Sequence, residues 1–368
     1  MQLRIPGPTP LPPRVIEAMN RQMINHRGKE FGEIIRQITS RLQAIFQTKN
    51  DIFLLTTSGT GGMEAAVVNT LSPGDPVLAI SSGFFGDRFS DIARAYGAEV
   101  TMLNFDWGKP ADPDALRSAL KQNPRYKAVM VVHNETSTGV ANNLAAIAPI
   151  VREFDKLLLV DAVSSMGAVD LPVDKLGLDV VASASQKAWM APPGLAMVSF
   201  SPRAWKAQAQ AKMPRCYLDL AEAKKFYEKS QTPWTPAVGT AYGLAAALEL
   251  MVAEGLPNIA ARHEKVAKKA REGVKALGLS LFPEEKYASN TVTAVKAPEG
   301  VDVKKLLQLM YAEHDIELAG GQQKLEGKIF RIGHLGWVNE KEIDEVLQAL
   351  SKCLPQVGYV KPTLVRKQ

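Results

Sequence analysis

Residues 157–165 read LLLVDAVSS, and residues 183–194 read SASQKAWMAPPG; these two segments specify the fold class. Four apolar residues lead directly into Asp161, and small or apolar residues surround Lys187. Each of these polar side chains therefore lies at or near the end of a predicted strand. In parallel sheets, ligands bind beyond the carboxyl ends of the strands. The two segments predict an α/β protein with a polar site at that edge.

An alternation of apolar strands and amphipathic helices extends in both directions from these segments. Glycine turns and helical periodicity separate the strands, which is typical of a mostly parallel sheet covered by helices on both faces. Strands are predicted at 52–57, 76–81, 99–105, 128–136, 157–163, 179–187 and 195–200. The sequence therefore predicts a large domain built on a seven-stranded sheet between helices.

The pattern changes after about residue 250. One long helical region with an interruption near Gly255–Pro257 precedes helices and shorter strands, one of them at 316–321, which together predict a smaller α+β C-terminal domain. The proline-rich segment IPGPTPLPP near the start has no periodicity and is expected to run as an extended arm over another surface. The expected bounds are 1–18 for the arm, 19–254 for the large domain and 255–368 for the small domain.

Composition indicates an ordinary globular enzyme. The 368 residues are 46% hydrophobic and 22% charged, and the net charge of +6 is spread along the chain. No basic stripe interleaved with aromatic residues is present, so nucleic-acid binding is not expected. Apolar runs stay well short of the ~20 residues of a membrane span, and the first residues lack the apolar core of a signal peptide. A cytoplasmic location without membrane attachment is expected.

The two cysteines, Cys216 and Cys353, have no metal-binding spacing. Neither a zinc site nor a disulfide scaffold is therefore expected, and low cysteine usage fits a reducing compartment.

The chemistry of a buried lysine beside a buried aspartate favours pyridoxal phosphate. Desolvation lowers the pKa of a lysine and leaves a usable neutral amine, which holds the cofactor aldehyde. A buried carboxylate needs a cationic partner, and a protonated pyridine nitrogen is one. The alternatives are an exposed Lys187 at a strand end, and an Asp161 that caps a helix or pairs with a structural base.

The segment SGTGG, Ser58–Gly62, stands between a predicted strand and a predicted helix. Glycines there free backbone N–H groups to face an anion, and Thr60 adds a hydroxyl. A tight turn without a ligand is an equally good interpretation. The dinucleotide-binding pattern GxGxxG is absent, which argues against a nicotinamide dehydrogenase.

The segment HNETSTG, His133–Gly139, follows the apolar residues 128–132, which begin the predicted strand at 128–136. His133 is interpreted as a structural histidine rather than a general base, and Glu135 as a residue that holds the loop. Thr136 is placed to contact a cofactor ring or a substrate.

Two further positions offer ligand contacts. Arg331, in FRIGHLG, lies between apolar neighbours and offers a fork for a substrate carboxylate; an intramolecular ion pair is the alternative. Phe84 and Phe85 follow a strand end, and either could stack on a flat cofactor or pack into the core.

Five motifs together resemble the class V aminotransferases of pyridoxal phosphate fold type I, especially the alanine–glyoxylate, serine–glyoxylate and serine–pyruvate branch. The motifs are TSGTGGMEAA, HNETSTGV, LVDAVSSMG, SASQKAWMAPPG and FRIGHLG, in this order. The resemblance extends from GPTPLPP near the start to the last predicted helix.

The resemblance implies a catalytic pair and a set of cofactor contacts. Lys187 would bond the cofactor aldehyde and move the proton, Asp161 would pair with the pyridine nitrogen, and Arg331 would bind the substrate carboxylate. The other implied cofactor-binding residues are Thr60, Gly61, Gly62, Phe85, Thr136, Gln186 and Thr235. Thr235 would reach the phosphate of the neighbouring subunit in a homodimer with shared active sites.

Three positions depart from what relatives carry. Phe85 replaces a tryptophan, Gly62 replaces a histidine, and Thr232 replaces a tyrosine that makes a second intersubunit phosphate contact. The resemblance implies transfer of an amino group from a small amino acid, alanine or serine, to a small 2-oxo acid, glyoxylate or pyruvate.

Other functions remain open at this point. They are aspartate or phosphoserine transamination, for which Arg27 could supply a second cation, and an accessory subunit that retains the fold without activity. A cysteine desulfurase would need a reactive cysteine on a late loop. Cys216 instead precedes a predicted helix, and Cys353 lies inside one.

Overall fold

A computed structural model describes residues 1–361; the last part of the predicted small domain, 362–368, lies outside the described residues. The strands are β1 Gln2–Leu3, β2 Asp51–Leu55, β3 Pro76–Ser81, β4 Glu99–Asn104, β5 Ala128–Val132, β6 Asn134–Glu135, β7 Val140–Ala141, β8 Leu157–Asp161, β9 Val180–Ala184, β10 Ala196–Phe200, β11 Val292–Lys296, β12 Ile316–Glu317, β13 Ala319–Gly320 and β14 Ile329–Gly333. The helices are α1 Pro13–Met19, α2 Lys29–Phe46, α3 Gly59–Val68, α4 Phe84–Ala95, α5 Pro113–Gln122, α6 Leu144–Glu153, α7 Val173–Leu176, α8 Pro202–Gln208, α9 Leu220–Tyr227, α10 Val238–Glu254, α11 Leu256–Ala276, α12 Val303–His314 and α13 Glu340–Gln356. Two short 3-10 helices span Glu285–Tyr287 and Gln323–Leu325.

The central sheet has seven strands in the order β2-β10-β9-β8-β5-β3-β4. Only β10 runs antiparallel to its neighbours, and the other pairs are parallel. All five residues of β5, β8 and β9 are buried, as expected for strands covered on both faces. The predicted α/β fold with a mostly parallel seven-stranded sheet is confirmed.

Successive residues of β8 alternate between the two hydrophobic layers. Leu158 and Val160 pack in the layer that contains α2, α6 and α10, whereas Leu157 and Leu159 pack in the layer that contains α3 and α4. Because side chains alternate along a strand, Asp161 leaves the sheet on the α3 and α4 side.

A three-stranded sheet in the order β11-β14-β13 forms the smaller C-terminal part with α11, α12 and α13 around its own hydrophobic cluster. One predicted strand is wrong here, because 316–321 divides into β12 and β13. β12 pairs with β1, whereas β13 pairs with β14. The predicted interruption of the long helical region is confirmed at Gly255, where α10 and α11 meet at 89°.

No single helix of the described residues is long and apolar enough to cross a membrane, although α10 and α11 would satisfy length and composition if taken together.

The N-terminal arm is more regular than predicted. β1 pairs in parallel with β12, and α1 begins at Pro13 within the segment expected to be extended throughout. Proline at the first helical position is favourable because its fixed φ suits a helix start and no N–H is lost there. The bounds of the arm and of the two domains stay predictions.

Candidate active site

Asp161 ends β8 with its side chain 4% exposed. Its Oδ1 accepts a hydrogen bond from the Val163 backbone N–H at 2.8 Å, and among the described residues its Oδ2 has no hydrogen-bond partner. Burial raises the pKa of the Asp161 carboxyl to about 7, with a smaller upward contribution from the carboxylate of Glu135; the Val163 hydrogen bond and the charges of Lys187 and Arg88 oppose the shift. The site therefore favours an added cation beside this carboxylate.

Lys187 follows β9, the parallel neighbour of β8, in which Ala182 stands opposite Asp161. Burial lowers the pKa of Lys187 to about 8; the charge of Asp161 opposes the shift, and that of Arg331 adds to it. The predicted proximity of the lysine and the aspartate is thus present in the fold. The Lys187 Nζ donates a hydrogen bond to the carbonyl oxygen of Pro6 in the N-terminal arm, at 2.5 Å.

The start of α3 leaves backbone donors free. The first intrahelical bond runs from the Gly62 N–H to the Ser58 carbonyl at 3.2 Å, so the N–H groups of Gly59, Thr60 and Gly61 have no partner within the helix. Such a helix start suits an anion such as a phosphate. These groups lie on the same side of the sheet as Asp161.

Gly62 has a packing role in the structure. Its N–H is used inside α3, and a Cβ added to it would lie 3.2 Å from the Cβ of Ala196 and 3.5 Å from that of Ala182. The absence of a side chain therefore lets α3 approach the sheet closely. The predicted contact of Gly62 with the cofactor stays a prediction, because its backbone N–H already donates to the Ser58 carbonyl.

Glu135 organises the start of α4. Its carboxylate accepts hydrogen bonds from the backbone N–H groups of Phe85 at 3.1 Å, Gly86 at 3.0 Å and Ser137 at 3.1 Å. Burial raises the pKa of Glu135, and these hydrogen bonds oppose that shift. The interpretation of Glu135 as a loop-holding residue is confirmed, and the same contacts fix Phe85, whose ring lies 5.3 Å from that of Phe84 in an edge-on arrangement.

Arg331 lies on β14 with 6% of its surface exposed. Its Nε donates to the Gly320 carbonyl at 2.9 Å, and its Nη1 donates to the Thr136 carbonyl at 3.1 Å and to Gln322 Oε1 at 3.2 Å. Burial lowers the pKa of Arg331 to about 10, and the carboxylate of Glu135 opposes this. No carboxylate within residues 1–361 forms an ion pair with it, and Nη2 makes no hydrogen bond there, so the guanidinium is available to an acid.

Gln186 and Thr136 complete the predicted residues near the sheet edge. The buried Oε1 of Gln186 has no hydrogen-bond partner among the described residues. Thr136 is 3% exposed, and its backbone carbonyl holds Arg331. The hydrogen bond from Arg331, on β14, to Thr136 therefore connects the C-terminal part of the protein to the segment that follows β5.

Thr235 differs from the other predicted site residues, because it is exposed. Arg27 is exposed as well, and its Nη2 donates to the Pro233 carbonyl at 2.9 Å while its Nη1 contacts the Thr232 carbonyl. Arg27 therefore fixes the segment that carries Thr235, so its guanidinium already has partners within its own chain.

The sequence did not single out three contacts at this site. Arg88 lies over the rings of Phe84 and Phe85, at 4.6 and 5.2 Å from their centroids. Its positive charge also lowers the pKa of Asp161. Helical spacing from Phe85 was the available signal for Arg88. The Pro6 carbonyl contact with Lys187 had no sequence signal, because any residue carries a carbonyl.

Both cysteines lie away from the sheet edge that carries Lys187. Cys216 is exposed before α9, and Cys353 is buried on α13. Donor atoms of Cys353, Glu313 and His314 approach within 4.8 Å of one another on α12 and α13. Neither cysteine therefore supplies a thiol at Lys187, which a cysteine desulfurase would need.

A polar cavity of about 730 Å³ lies at the outer edge of the central sheet, away from Lys187. Its walls include Asp87, Asp91, Asp106 and Lys324. None of the predicted site residues lines it, so cavity size does not identify the reactive centre of this chain.

Known proteins resemble this chain over nearly its whole length. The family model described as aminotransferase class-V matches residues 2–335. A protein named soluble hydrogenase, small subunit, from a Synechococcus species is 45% identical over 365 residues, which cover 98% of this chain and 94% of that protein. The serine–glyoxylate aminotransferase of Arabidopsis thaliana is 38% identical over 364 residues, which cover 97% of this chain and 91% of the enzyme.

A solved structure shows the same fold. The alanine–glyoxylate aminotransferase of a Nostoc species superposes with a TM-score of 0.92 at 35% identity, over 96% of this chain and 94% of that chain. The predicted family resemblance is therefore confirmed.

The residues present fit pyridoxal phosphate. Within residues 1–361, the Oδ2 of the buried Asp161 makes no hydrogen bond and suits a pyridine nitrogen, and the first N–H groups of α3 have no helical partner and suit a phosphate; Lys187 has an amine of lowered pKa. The chain belongs to the class V aminotransferases and is a pyridoxal phosphate-dependent transaminase of fold type I.

Proposed function

We propose that this transaminase moves an amino group from alanine or serine to glyoxylate or pyruvate. The observation that carries the proposal is the buried Arg331, whose Nη2 makes no hydrogen bond within residues 1–361 and whose charge acts on Lys187. One guanidinium of this kind suits one carboxylate. Arg27, the candidate for a second carboxylate contact, is exposed and bonded to its own chain.

The residues divide the work by position. When bound, pyridoxal phosphate supplies an electron sink for the carbanion formed at the substrate α-carbon. Asp161 keeps a proton on the pyridine nitrogen, since its carboxylate gains a cation in place of water. The first N–H groups of α3, those of Gly59, Thr60 and Gly61, would hold the phosphate, and Phe85 would contact the ring. Arg331 orients the substrate carboxylate, and the neutral Lys187 Nζ accepts the α-proton and returns it.

The test is a half-reaction screen on the cofactor-loaded enzyme. Alanine, serine, aspartate, phosphoserine and glycine are added separately, and the loss of visible cofactor absorption is followed at single turnover. Fast loss with alanine or serine supports the proposal. If both are inert while aspartate or phosphoserine reacts quickly, the substrate assignment is wrong and the transaminase assignment still holds.

We infer that the working unit is a homodimer in which Thr235 contacts the cofactor phosphate of the neighbouring subunit. Thr235 is exposed and close in sequence to Trp234, which is 39% exposed and stacks on the exposed Tyr217 at 6.1 Å. Exposed aromatic residues of this kind are enriched at protein interfaces. Light scattering of the purified protein measures the molar mass of the assembly and so tests the dimer. Thr235→Val is expected to weaken cofactor binding while the assembly remains a dimer.

A subunit of a hydrogenase is the second candidate function, favoured by the names of two relatives. A redox subunit with iron–sulfur clusters uses several cysteines as ligands, and this chain has two, one exposed and one buried. The chain itself therefore lacks the ligands for such a cluster. An accessory role would leave all five amino acids inert in the screen above. A cytoplasmic location remains a prediction of the sequence.

A further inference from the structure

The N-terminal arm is held at two places on either side of the reactive lysine. Before Pro6, the Arg4 carbonyl accepts a hydrogen bond from the Gly333 N–H of β14 at 2.6 Å. After it, the Thr9 N–H donates to the Gln186 carbonyl at 3.1 Å, and the Thr9 Oγ1 donates to the Lys187 carbonyl at 2.9 Å. The arm therefore crosses the lysine in a fixed position.

The side chain of Arg4 strengthens this attachment. It is 1% exposed and forms an ion pair with Glu342 of α13. Separating the pair is costly, because the buried guanidinium of Arg4 would lose its charged partner, although Glu342 itself is partly exposed. The main chain at residues 5–8 is thus suspended between two anchors.

The suspended main chain contacts the end of the lysine side chain. The Lys187 Nζ donates to the Pro6 carbonyl at 2.5 Å. A carbonyl only accepts hydrogen bonds. An amine that donates one N–H to it keeps its lone pair available for a proton or a carbonyl carbon.

The next residue has to be glycine for this contact to form. A Cβ added to Gly7 would lie 2.7 Å from both the Cδ and the Nζ of Lys187. Real Cβ contacts essentially never reach that distance, so a side chain at residue 7 and the amine on the Pro6 carbonyl exclude each other. The φ of Gly7, +124°, also disfavours other residues.

We propose that the Pro6 carbonyl and the open edge of Gly7 form the resting position of the Lys187 amine while it is not bonded to the cofactor. Gly7 is then a positioning residue for the proposed transamination, on which this inference rests. The amine is released once the substrate has taken its place on the cofactor, and it has to stay close to the reacting carbon. The arm holds it there without masking its lone pair.

The test uses the holoenzyme loaded with pyridoxamine phosphate, in which the lysine is free. The enzyme is treated briefly with acetic anhydride, and acetylation of Lys187 is followed by mass spectrometry. In the wild type we expect slow acetylation, because the arm at Pro6 and Gly7 covers the amine against reagent from solvent even though the hydrogen bond does not use its lone pair. Gly7→Ala displaces it toward the cleft, so we expect acetylation about fivefold faster, the factor that corresponds to one lost hydrogen bond.

Two control variants separate this effect from a loosened arm. Gly300→Ala makes the same change at a glycine of φ +78° with open space around it, and is expected to react like the wild type. Thr9→Val removes the hydroxyl contact of the arm with the Lys187 carbonyl and adds no atom beside the amine. An equal rate in Gly7→Ala and the wild type would overturn the proposal. So would a rate in Thr9→Val as high as in Gly7→Ala.

The same labelling separates this inference from the proposed function. With pyridoxal phosphate bound, Lys187 of the wild type is expected to be protected from acetylation. Loss of that protection contradicts the assignment of Lys187 as the cofactor-bonding residue. A rate that Gly7→Ala leaves unchanged in the pyridoxamine phosphate form, with protection intact, contradicts only the resting position.

Discussion

Asp161 is a buried carboxylate that has one backbone hydrogen bond and no cation bonded to it within residues 1–361. Its pKa of about 7 reflects this incomplete solvation. We expect Asp161→Asn to lower the rate of the half-reaction about 10²–10³-fold, because the amide cannot stabilise a protonated pyridine nitrogen. Single-turnover absorbance measures the rate. Asp155→Asn, at a surface carboxylate, is the matched control.

Lys187 provides the second prediction at this scale. Lys187→Ala is expected to reduce transamination at least about 10³-fold, because the substitution removes the amine proposed to accept and return the α-proton. Product formation in the coupled reaction checks this. The exposed Lys175 gives the control Lys175→Ala. Turnover of Lys187→Ala near that of the control would refute the catalytic role.

The sequence reveals individual residues only where their type is unusual for their surroundings. A lysine and an aspartate among apolar strand residues are of this kind, and so is Arg331. Contacts made by backbone atoms carry no such signal. The carbonyl of Pro6 and the free N–H groups of Gly59 and Gly61 depend on how distant segments meet, which residue type alone does not determine.

At the scale of elements, the start of α3 joins the phosphate donors to the strand end that carries Asp161. A Cβ on Gly59 would lie 2.8 Å from Val163 Cγ2 and 3.1 Å from the Cβ of Ala184. Val163 is the residue whose N–H bonds to Asp161. Gly59→Ala is therefore expected to push α3 away from the sheet and to weaken pyridoxal phosphate binding about tenfold.

Equilibrium dialysis of the cofactor measures this effect. Gly239→Ala is the matched control, because Gly239 also lies in the first turn of a helix and its added Cβ would meet only Met23 Cε at 4.0 Å. Equal affinities for the two variants would show that close packing at Gly59 does not position the donors.

The central strands follow from the sequence because each is an apolar run between turn signals. The predicted 76–81 coincides with β3, and 157–163 contains β8. The same reasoning failed at 316–321, where two short strands join different sheets. Leu318 separates them, and the apolar content of the segment does not reveal that its two halves have different partners.

At the scale of the whole molecule, two buried neutral histidines in the C-terminal part make the stability of the protein depend on pH under acidic conditions. His263 donates from Nδ1 to the Ile259 carbonyl at 2.7 Å and accepts at Nε2 from the Gly336 N–H at 3.0 Å. His334 contacts Thr293 Oγ1 at 2.8 Å. Burial lowers the pKa of both imidazoles to about 3 from the ordinary 6.5.

The unfolded chain therefore binds protons that the folded chain excludes as the pH falls below about 6.5. The free energy of unfolding is expected to decrease between about pH 6.5 and pH 3, by about 1.4 kcal/mol per pH unit for each of the two groups. Above pH 6.5 these groups contribute no slope. Urea unfolding at a series of pH values measures the trend.

A variant isolates the contribution of one histidine from that of the carboxylates. His263→Gln removes one titrating group, so its free energy of unfolding is expected to fall less steeply between pH 6 and pH 4, by about 1.4 kcal/mol per pH unit. His26→Gln, at a partly exposed residue, is the control. A slope for His263→Gln equal to that of the wild type would contradict the assignment.

The arm that crosses Lys187 has a consequence for how the chain matures on the ribosome. The ion pair of Arg4 with Glu342 can form only after Glu342 has been translated, 338 positions later. At ordinary synthesis rates this delay is on the order of tens of seconds. The arm has no strand to pair with until β12, residues 316–317, has been translated, whereas the last strand of the seven-stranded sheet, β10, ends at residue 200. The arm that crosses Lys187 is consequently the last segment to be fixed in place. A bulky fusion placed ahead of Met1 is expected to hinder maturation at that final step.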